Sequence, residues 1–470
     1  MLTSIVVAAI ILGVLIIVHE AGHFFMAKRL GVRVLRFSIG YPPKLFGFRR
    51  GETEYAIGAT PFGGYVRMLG DEVGEDPKTE ELGNYLREIG FDILEAADRH
   101  GLIIGGRKPE ERLKSIAEKI APTPANLAAA VGDPELIARS RLDASPAAVA
   151  LIGRDFKPDE AVLLNEIRAT GSLNDAITAL CANPPAALIE SFRQRAFPTQ
   201  SLTKRVLIVL AGPLSNILFA PILLAFIFMY GVPVLLPIVG EAKPNLPAYA
   251  AGLRSGDRII SINGQSAGSW SDFADTVRAS GGAPLKLEIE RKEGNSIEHQ
   301  SLVIKPAREE QKTLYGSMAA AWIIGVLPRG DEITRRLDPI RATSLAITTS
   351  AQMTGELVVG LASIISGATP MRQAVGGPIM IAQMAGREAH RGLASVVLFT
   401  VMLSLNLGIA NLLPVPLLDG GHLAFFAVEG LRGRPLELRY REMALQVGLF
   451  LLVALMAFVI FNDISHIVQG

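Results

Sequence analysis

The most regular feature of the chain is four long runs of apolar residues separated by polar stretches. Each run is long enough for a helix to cross a hydrocarbon layer of about 30 Å. The runs predict transmembrane helices at residues 1–30, 204–232, 391–430 and 445–463. The third run differs from the others because polar residues and two prolines interrupt it, at Asn406, Asn411, Pro414, Pro416 and Asp419. Irregular backbone at membrane depth requires an enclosing cavity, so this break is expected to be functional.

The stretches between these runs have their own patterns. Alternating aromatic residues and glycine turns predict a membrane-associated β-hairpin region at 31–78, and Ala-, Leu- and Glu-rich patterns predict a helical cytoplasmic insertion at 79–195. Residues 238–306 read as a compact α+β module. Residues 341–366 predict an amphipathic helix at the membrane surface.

Composition agrees with a membrane protein. Half of the 470 residues are hydrophobic, and the mean hydropathy is +0.35. The net charge of +1, from 46 basic and 45 acidic residues, gives no reason to expect nucleic acid as a partner. The single cysteine, Cys181, lacks a partner for an internal disulfide and is expected to be an inert small apolar residue.

Basic residues predict the orientation of the spans. They cluster after the first run and before the last, at Lys28, Arg29, Arg33, Arg36, Lys44, Arg49, Arg50, Arg432, Arg434, Arg439 and Arg441. Loops rich in Lys and Arg stay in the cytoplasm. Both termini and the α+β module are therefore expected on the opposite side, which is the periplasm of a bacterium.

Candidate metal chemistry begins with His19-Glu20-Ala21-Gly22-His23 at the end of the first apolar run. On a helix the two imidazoles share one face and can bind one Zn²⁺ ion, with Glu20 beside the metal as general base. The simpler alternative is two histidines hydrogen-bonded at a membrane interface. Three polar side chains at the end of an apolar span need a compensating partner, which favours the metal.

A catalytic zinc needs a third protein ligand and an open fourth position. The interrupted third run offers Asp419 and His422. Asp419-Gly420 could be only a turn, but a lone carboxylate in an apolar segment needs a positive partner. Asp419 is therefore the preferred ligand. His422 is either the alternative ligand or a residue that contacts the ligands without binding the metal.

Together these motifs resemble the site-2 protease family of intramembrane metalloproteases. The resemblance rests on the H-E-x-x-H sequence, on the Asn-x-x-Pro-x-Pro-x-x-Asp-Gly run from Asn411 to Gly420, and on the Gly212-to-Asn216 motif. It implies zinc ligation by His19, His23 and Asp419, and acid/base catalysis by Glu20. It also implies that Gly212 and Asn216 pack the second span near the site, and that Asn406 and Asn411 handle substrate.

The module beginning near Ile238 resembles the PDZ domains of the bacterial branch of that family, which cleaves anti-sigma factors. The implied fold is a polytopic α-helical membrane protein of the bacterial inner membrane, with about four transmembrane helices, a β segment, a periplasmic PDZ-like domain and a helical insertion. The implied substrates are single-span membrane proteins such as anti-sigma factors, or signal peptides, whose periplasmic part the PDZ-like module contacts. The insertion and the presence of one PDZ-like module depart from the family pattern.

Several alternatives stay open. Asn411 is either an oxyanion donor or a partner of backbone carbonyls freed by the prolines. The hairpin region is either an edge that accepts an unwound substrate or only a membrane-associated hairpin. A membrane-anchored PDZ adaptor with a structural or degenerate metal site is the main competing function, and a transporter would explain the broken span but not the H-E-x-x-H sequence.

Overall fold

The computed structural model describes residues 2–70, 79–99, 109–120, 158–293, 296–312, 318–368 and 376–469. Parts of the predicted hairpin region and insertion, residues 71–78, 100–108 and 121–157, lie outside the described residues. The chain divides into two compact units. One comprises residues 1–8, 217–409 and 451–470, and the other comprises residues 9–216 and 410–450.

The described helices are α1 (Leu2–Arg29), α2 (Thr79–Arg99), α3 (Pro109–Ile120), α4 (Pro158–Thr170), α5 (Leu173–Ala182), α6 (Ala186–Arg195), α7 (Leu202–Tyr230), α8 (Pro247–Ala250), α9 (Trp270–Ala279), α10 (Pro339–Ile365), α11 (Pro378–Arg391), α12 (Leu393–Asn411), α13 (Asp419–Arg432) and α14 (Leu438–Gln469). The described strands are β1 (Val34–Arg50), β2 (Thr53–Met68), β3 (Val232–Leu235), β4 (Val239–Ala242), β5 (Arg258–Ile262), β6 (Gln265–Ser266), β7 (Leu285–Glu293), β8 (Ser296–Ile304), β9 (Ala307–Lys312), β10 (Met318–Ile323), β11 (Val326–Pro328) and β12 (Glu332–Arg335).

Within the described residues, four helices are long and apolar enough to cross a membrane: α1, α7, α12 and α14. Their most apolar segments have a mean hydropathy between 2.1 and 2.7. The second predicted span reached residue 232, but α7 ends at Tyr230. Gly231 adopts a positive φ of 125°, and the chain then enters β3. The turn at Gly231 therefore ends the helix two residues before the apolar run ends.

The third apolar run is broken where the two prolines lie. Helix α12 ends at Asn411, residues 412–418 are not helical, and α13 begins at Asp419. Asn406 does not interrupt the helix, contrary to its predicted part in the break. Its amide donates to the Met402 carbonyl at 3.0 Å, one turn earlier in α12. A polar side chain bonded to its own helix leaves the backbone regular.

Strands β1 and β2 build a sheet next to α1. Residues 36–39 lie beside 64–67 on one side and beside 54–57 on the other, and residues 46–50 lie beside 53–57. The two long strands therefore bend back to form four rows, in the order 64–67, 36–39, 54–57 and 46–50. We refer to these rows as the four-row sheet. Its outer row at 64–67 pairs with no further strand in the described chain.

The described helices between residues 79 and 195 share one hydrophobic core, which makes them a helical domain. Its fully buried side chains come from every one of these helices, with Leu86 and Ile93 on α2, Ile116 on α3, Leu163 on α4 and Leu188 on α6 among them. Leu69, at the end of the four-row sheet, joins the same core.

The α+β module contains a sheet of order β6-β5-β7-β8 covered by α9. The predicted boundary at residue 306 is too short. Ile324 is buried in the module's core, Val326 packs against that core, and β11 pairs with β4. Farther out, β12 pairs with β3, which brings the two ends of the module together. The apolar segments after residue 306 are short and interrupted, so the hydrophobic pattern alone did not indicate that they belong to the core of the module.

Helix α10 occupies the segment predicted as a surface helix. Its N-cap is Asp338, which accepts a hydrogen bond from the Arg341 backbone at 3.1 Å. Ala342 and Ala346 are fully buried in a core shared with α7 and α12, whereas Val359 farther along is exposed. The first half of α10 thus packs on apolar helices through small residues, and its position relative to the membrane surface stays a prediction.

Candidate metal centre

Two histidines on one face of α1 begin the site. His19 and His23 are four residues apart, and each is only 8% exposed. Their ring centroids lie 5.0 Å apart with an interplanar angle of 85°. The i, i+4 spacing of the helix brings the rings together, and both Nε2 atoms face the same point.

The third group is Asp419, the first residue of α13. Its Oδ2 atom lies 3.0 Å from Nε2 of His19 and 3.4 Å from Nε2 of His23. Oδ2 is buried and makes no hydrogen bond of acceptable geometry within the described part of the chain. An acceptor in this state requires a cation or a protonated partner.

The three groups fit a zinc ion. Ligands of a tetrahedral zinc with bonds of about 2.0–2.1 Å lie about 3.3 Å apart, close to the two distances at Asp419. Among the described residues, these three side chains form the group of His, Cys, Asp and Glu residues whose ligand atoms all lie within 4.8 Å of one another. Two imidazoles and one carboxylate leave a fourth position for water, as a catalytic zinc site needs.

The remaining nitrogens of the two imidazoles have partners that orient the rings. Nδ1 of His23 lies 2.9 Å from the Ile208 carbonyl of α7, to which it donates in the tautomer that leaves Nε2 free to ligate. Nδ2 of the Asn216 amide lies 3.4 Å from Nδ1 of His19. With this amide turned by about 180°, its oxygen accepts from Nδ1–H and fixes the same tautomer there.

Helix α7 reaches the histidines because both helices carry small residues at their contact. A Cβ atom on Gly212 would lie 2.2 Å from Nε2 of His23, and one on Gly22 would lie 2.3 Å from the Ala211 carbonyl oxygen. The Ser215 hydroxyl donates to the Val18 carbonyl at 2.7 Å. The helices therefore approach to backbone contact, as small residues allow in membranes.

A tight loop presents Asp419. Leu417 has a φ of +83°, which is uncommon for a residue with a side chain. A Cβ on Gly420 would lie 2.1 Å from the Leu413 carbonyl oxygen, and one on Gly421 would lie 2.5 Å from that of Val415. The two glycines let the first turn of α13 pack directly on the loop. The prolines prevent residues 412–418 from continuing α12.

Glu20 lies between the histidines in sequence and against the four-row sheet in space. A Cβ on Gly64 would lie 3.1 Å from Cγ of Glu20 and 3.0 Å from Cγ2 of Ile16. The backbone of Val66 lies within hydrogen-bonding range of the Glu20 carboxylate. The row at 64–67 is therefore the part of the sheet that touches Glu20 of the candidate metal centre.

Comparison with known proteins agrees with this geometry. The model of peptidase family M50 matches residues 7–455. The chain belongs to peptidase family M50. This assignment confirms the resemblance to the site-2 proteases found in the sequence motifs.

Several known proteins are similar in sequence to this M50 peptidase over almost their whole length. The zinc metalloprotease RasP of Geobacillus kaustophilus is 32% identical over 99% of this chain and 98% of its own. The regulator of sigma-E protease RseP of Escherichia coli K12 is also 32% identical, over 99% and 98%. The corresponding protein of Salmonella typhimurium is 32% identical over 97% of both chains. The prediction of a zinc metalloprotease is thereby confirmed.

The structure places the other predicted site residues as follows. Gly212 and Asn216 lie beside His23 and His19. Asn411 is the last residue of α12 and is half-buried, and its role in substrate handling stays a prediction. Asn406 is exposed on α12, and its role likewise stays a prediction. His422 lies in the first turn of α13 with its ring edge-on to Phe425, outside the group formed by the three ligands.

Sequence reasoning missed several residues that shape the site of this M50 peptidase. Gly22, inside the H-E-x-x-H sequence, permits the contact with α7 that Gly212 permits from the other side. The small residues at this point of both helices, Ala21-Gly22 on α1 and Ala211-Gly212 on α7, were the available signal. The Ile208 carbonyl and the strained backbone at Leu417 had no sequence signal, because any residue supplies a carbonyl and leucine is not a turn former.

Proposed function

We propose that this M50 peptidase hydrolyses peptide bonds in the transmembrane segments of single-span membrane proteins. The observation that carries the proposal is the group formed by the buried His19 and His23 of the apolar helix α1 and by the partly buried Asp419 at the start of α13, with Glu20 beside it. Metal ligands in such helices act on bonds that also lie in the membrane, where a soluble protease has no access. Anti-sigma factors already shortened by another protease and remnants of signal peptides are the substrates proposed, since relatives bear the name regulator of sigma-E protease.

The chain's own residues supply the binding and the proton transfers. When bound, zinc polarises the scissile carbonyl and makes a water molecule a nucleophile near neutral pH. Glu20 takes the proton from that water and returns it to the leaving amine. His23 is held by Ile208, and His19 by Asn216, so that the ligands keep their orientation through the reaction.

The substrate must leave the helical state before its peptide bonds can react. An unwound segment in lipid has unpaired backbone groups, each of which costs several kcal/mol. The outer row of the four-row sheet at residues 64–67 offers backbone groups to such a segment, and it touches Glu20 through Gly64. We propose that the substrate adds to this row as an extended strand.

The α+β module is proposed to be a PDZ-like domain on the periplasmic side of a bacterial inner membrane, together with both termini. The basic residues around the first and last spans support this orientation. The module has a cleft between α9 and the strands β10 and β11, lined by Leu246, Phe273, Val277, Trp322 and Ile324 together with the charged side chains of Lys243, Arg278 and Glu309. Such a cleft suits a peptide segment from the periplasmic part of a substrate.

The experiment that tests the function compares wild type with Glu20→Gln on a single-span membrane protein in detergent micelles. Glu20→Gln should keep about one zinc per chain, because the ligands are intact, and should lose at least about 10²-fold of the cleavage rate. Near-wild-type cleavage by this variant would show that another group is the base. Full zinc binding without cleavage in wild type would favour the alternative of a membrane-anchored adaptor with a structural metal.

A further inference from the structure

One face of α2 anchors the helical domain to the turn between β1 and β2. The residues on this face are three or four positions apart, so they lie in one stripe along the helix. They are Glu88, Phe91, Asp92 and Glu95. Each of them contacts the turn of the sheet.

Arg49, near the end of β1, is the centre of this contact. Its guanidinium forms an ion pair with Glu88, lies 3.5 Å from the Asp92 carboxylate and sits 5.3 Å from the Phe91 ring centroid. Next in the turn, the Gly51 backbone donates to Glu95 at 3.2 Å. A planar guanidinium held by two carboxylates and a ring has a fixed orientation.

Three further ion pairs extend the anchor to the end of α1 and to α6. Arg33 is 1% exposed and pairs with Asp92 at 2.8 Å. Glu52 pairs with Lys28 at 2.6 Å and with Arg195 of α6. Burial opposes ionisation of Glu52, but Arg195 and Lys28 outweigh it and hold the pKa of this carboxyl below its usual range. Buried charges of this kind keep their geometry, because separating them leaves an uncompensated charge.

The anchored turn is connected to Glu20 through the sheet. Residues 54–57, shortly after the turn, form the third row and pair with residues 36–39 of the second row. Residues 36–39 pair in turn with 64–67, whose Gly64 packs on Glu20. A shift of the turn therefore moves the outer row through two ladders of backbone hydrogen bonds.

We propose that Glu88 and Asp92 are positioning residues, through which the helical domain holds the four-row sheet in the place where it receives the substrate. The inference rests on the proposed addition of the substrate to the row at 64–67. The proposed metal ligands lie on α1 and α13, and the contacts that orient the two imidazoles come from α7 and not from the turn. Loosening the turn should therefore weaken substrate binding much more than it slows the chemical step.

The test uses the full chain carrying Glu88→Gln with Asp92→Asn, which removes two charges and keeps the shape of both side chains. With a single-span membrane peptide in micelles, KM should rise about tenfold while kcat stays within about twofold. The control is Glu190→Gln, an exposed residue of the same domain whose carboxylate accepts from Gln194 one turn later. Arg49→Met should reproduce the rise in KM, and Arg49→Lys, which keeps the charge, should recover part of it.

A purely structural role of the ion pairs predicts a different result. Partial unfolding would lower the active fraction, so apparent kcat would fall at unchanged KM, and this outcome would overturn the proposal. Binding of the intact peptide to the same variants in a Glu20→Gln background, followed by fluorescence, needs no cleavage. An unchanged Kd there would overturn the positioning role, whereas failure of wild type to cleave would count only against the proposed function.

Discussion

Asp419 is the residue on which the site depends most. It is the one proposed ligand that comes from outside α1, and its Oδ2 atom is the point on which both histidines converge. His19 and His23 share a helix and stay near each other without it. Asp419 also begins α13, so the loop of residues 412–418 must keep its conformation for the ligand to be in place.

Asp419→Ala should weaken zinc binding by at least about 100-fold. Removing a residue that only hydrogen-bonds to a metal ligand already lowers metal affinity by about 10–100-fold, and removing a ligand should cost more. The metal content of the purified variant, measured after dialysis, checks this. His422→Ala is the matched control, since it removes the other candidate ligand three residues later. If Asp419→Ala kept its full zinc content and His422→Ala lost zinc, His422 and not Asp419 would be the third ligand.

The grouping of His19, His23 and Asp419 could be predicted from sequence because the chemistry of these residues is local, and their ligation of zinc stays a prediction. The H-E-x-x-H spacing places two imidazoles on one helix face, and a carboxylate in an apolar run needs a cation. Their geometry could not be predicted, because it depends on contacts far apart in the chain. The hydrogen bond from His23 to Ile208 joins residues 185 positions apart, and no pattern indicates which carbonyl accepts it.

At the scale of elements, the contact between α1 and α7 determines how close the second span comes to the metal. Gly22 and Gly212 leave room for backbone contact, and Ser215 fixes the register by its bond to Val18. The sequence predicted that Gly212 lies near the site, but the distance to His23 is a result of the structure. Periodicity predicted the helices well, whereas the fold of the four-row sheet depends on pairings that the alternation alone does not specify.

Gly212→Ala tests this contact. A helix interior normally gains up to about 1 kcal/mol when Gly becomes Ala, so helix propensity alone predicts a tolerated or stabilising change. Here the added Cβ would lie 2.2 Å from Nε2 of His23, so the ring or the helix must move. We expect the variant to lose zinc and cleavage activity.

Gly13→Ala on α1 is the matched control, because in the described part of the chain no heavy atom beyond the nearby backbone of the same helix lies within 4 Å of the added Cβ. It should keep zinc, activity and thermal stability. Equal zinc content and activity in the two variants would show that α7 does not approach His23 as closely as the distance indicates.

At the scale of the whole molecule, the helical domain and the α+β module belong to different compact units. The helical domain shares a unit with the metal ligands and is anchored to the four-row sheet, so its influence is expected on substrate binding. The module belongs to the other unit and joins α7 through β3. Its proposed role concerns which substrates are admitted.

The structure shows which residues must be deleted to remove the whole module. Strands β3 and β12 pair with each other, and the Leu236 backbone donates to the Asp331 carbonyl at 2.8 Å. Residues 238–329 can therefore be replaced by a short flexible linker between two neighbouring chain ends. Removal of 238–306 alone would leave Ile324 and β11 without the core that they belong to.

The variant lacking residues 238–329 separates two roles for the module. If the module is a gate, it blocks substrates that still carry a bulky periplasmic domain, and the variant should cleave full-length substrate that wild type spares. If the module recruits shortened substrates by adding their new C-termini to a sheet edge, the variant should lose activity on the shortened form. Cleavage rates of both substrates, measured in vesicles at equal zinc content, distinguish the roles. Unchanged rates for both substrates would mean that the module controls neither step, because neither admission nor recruitment would then depend on it.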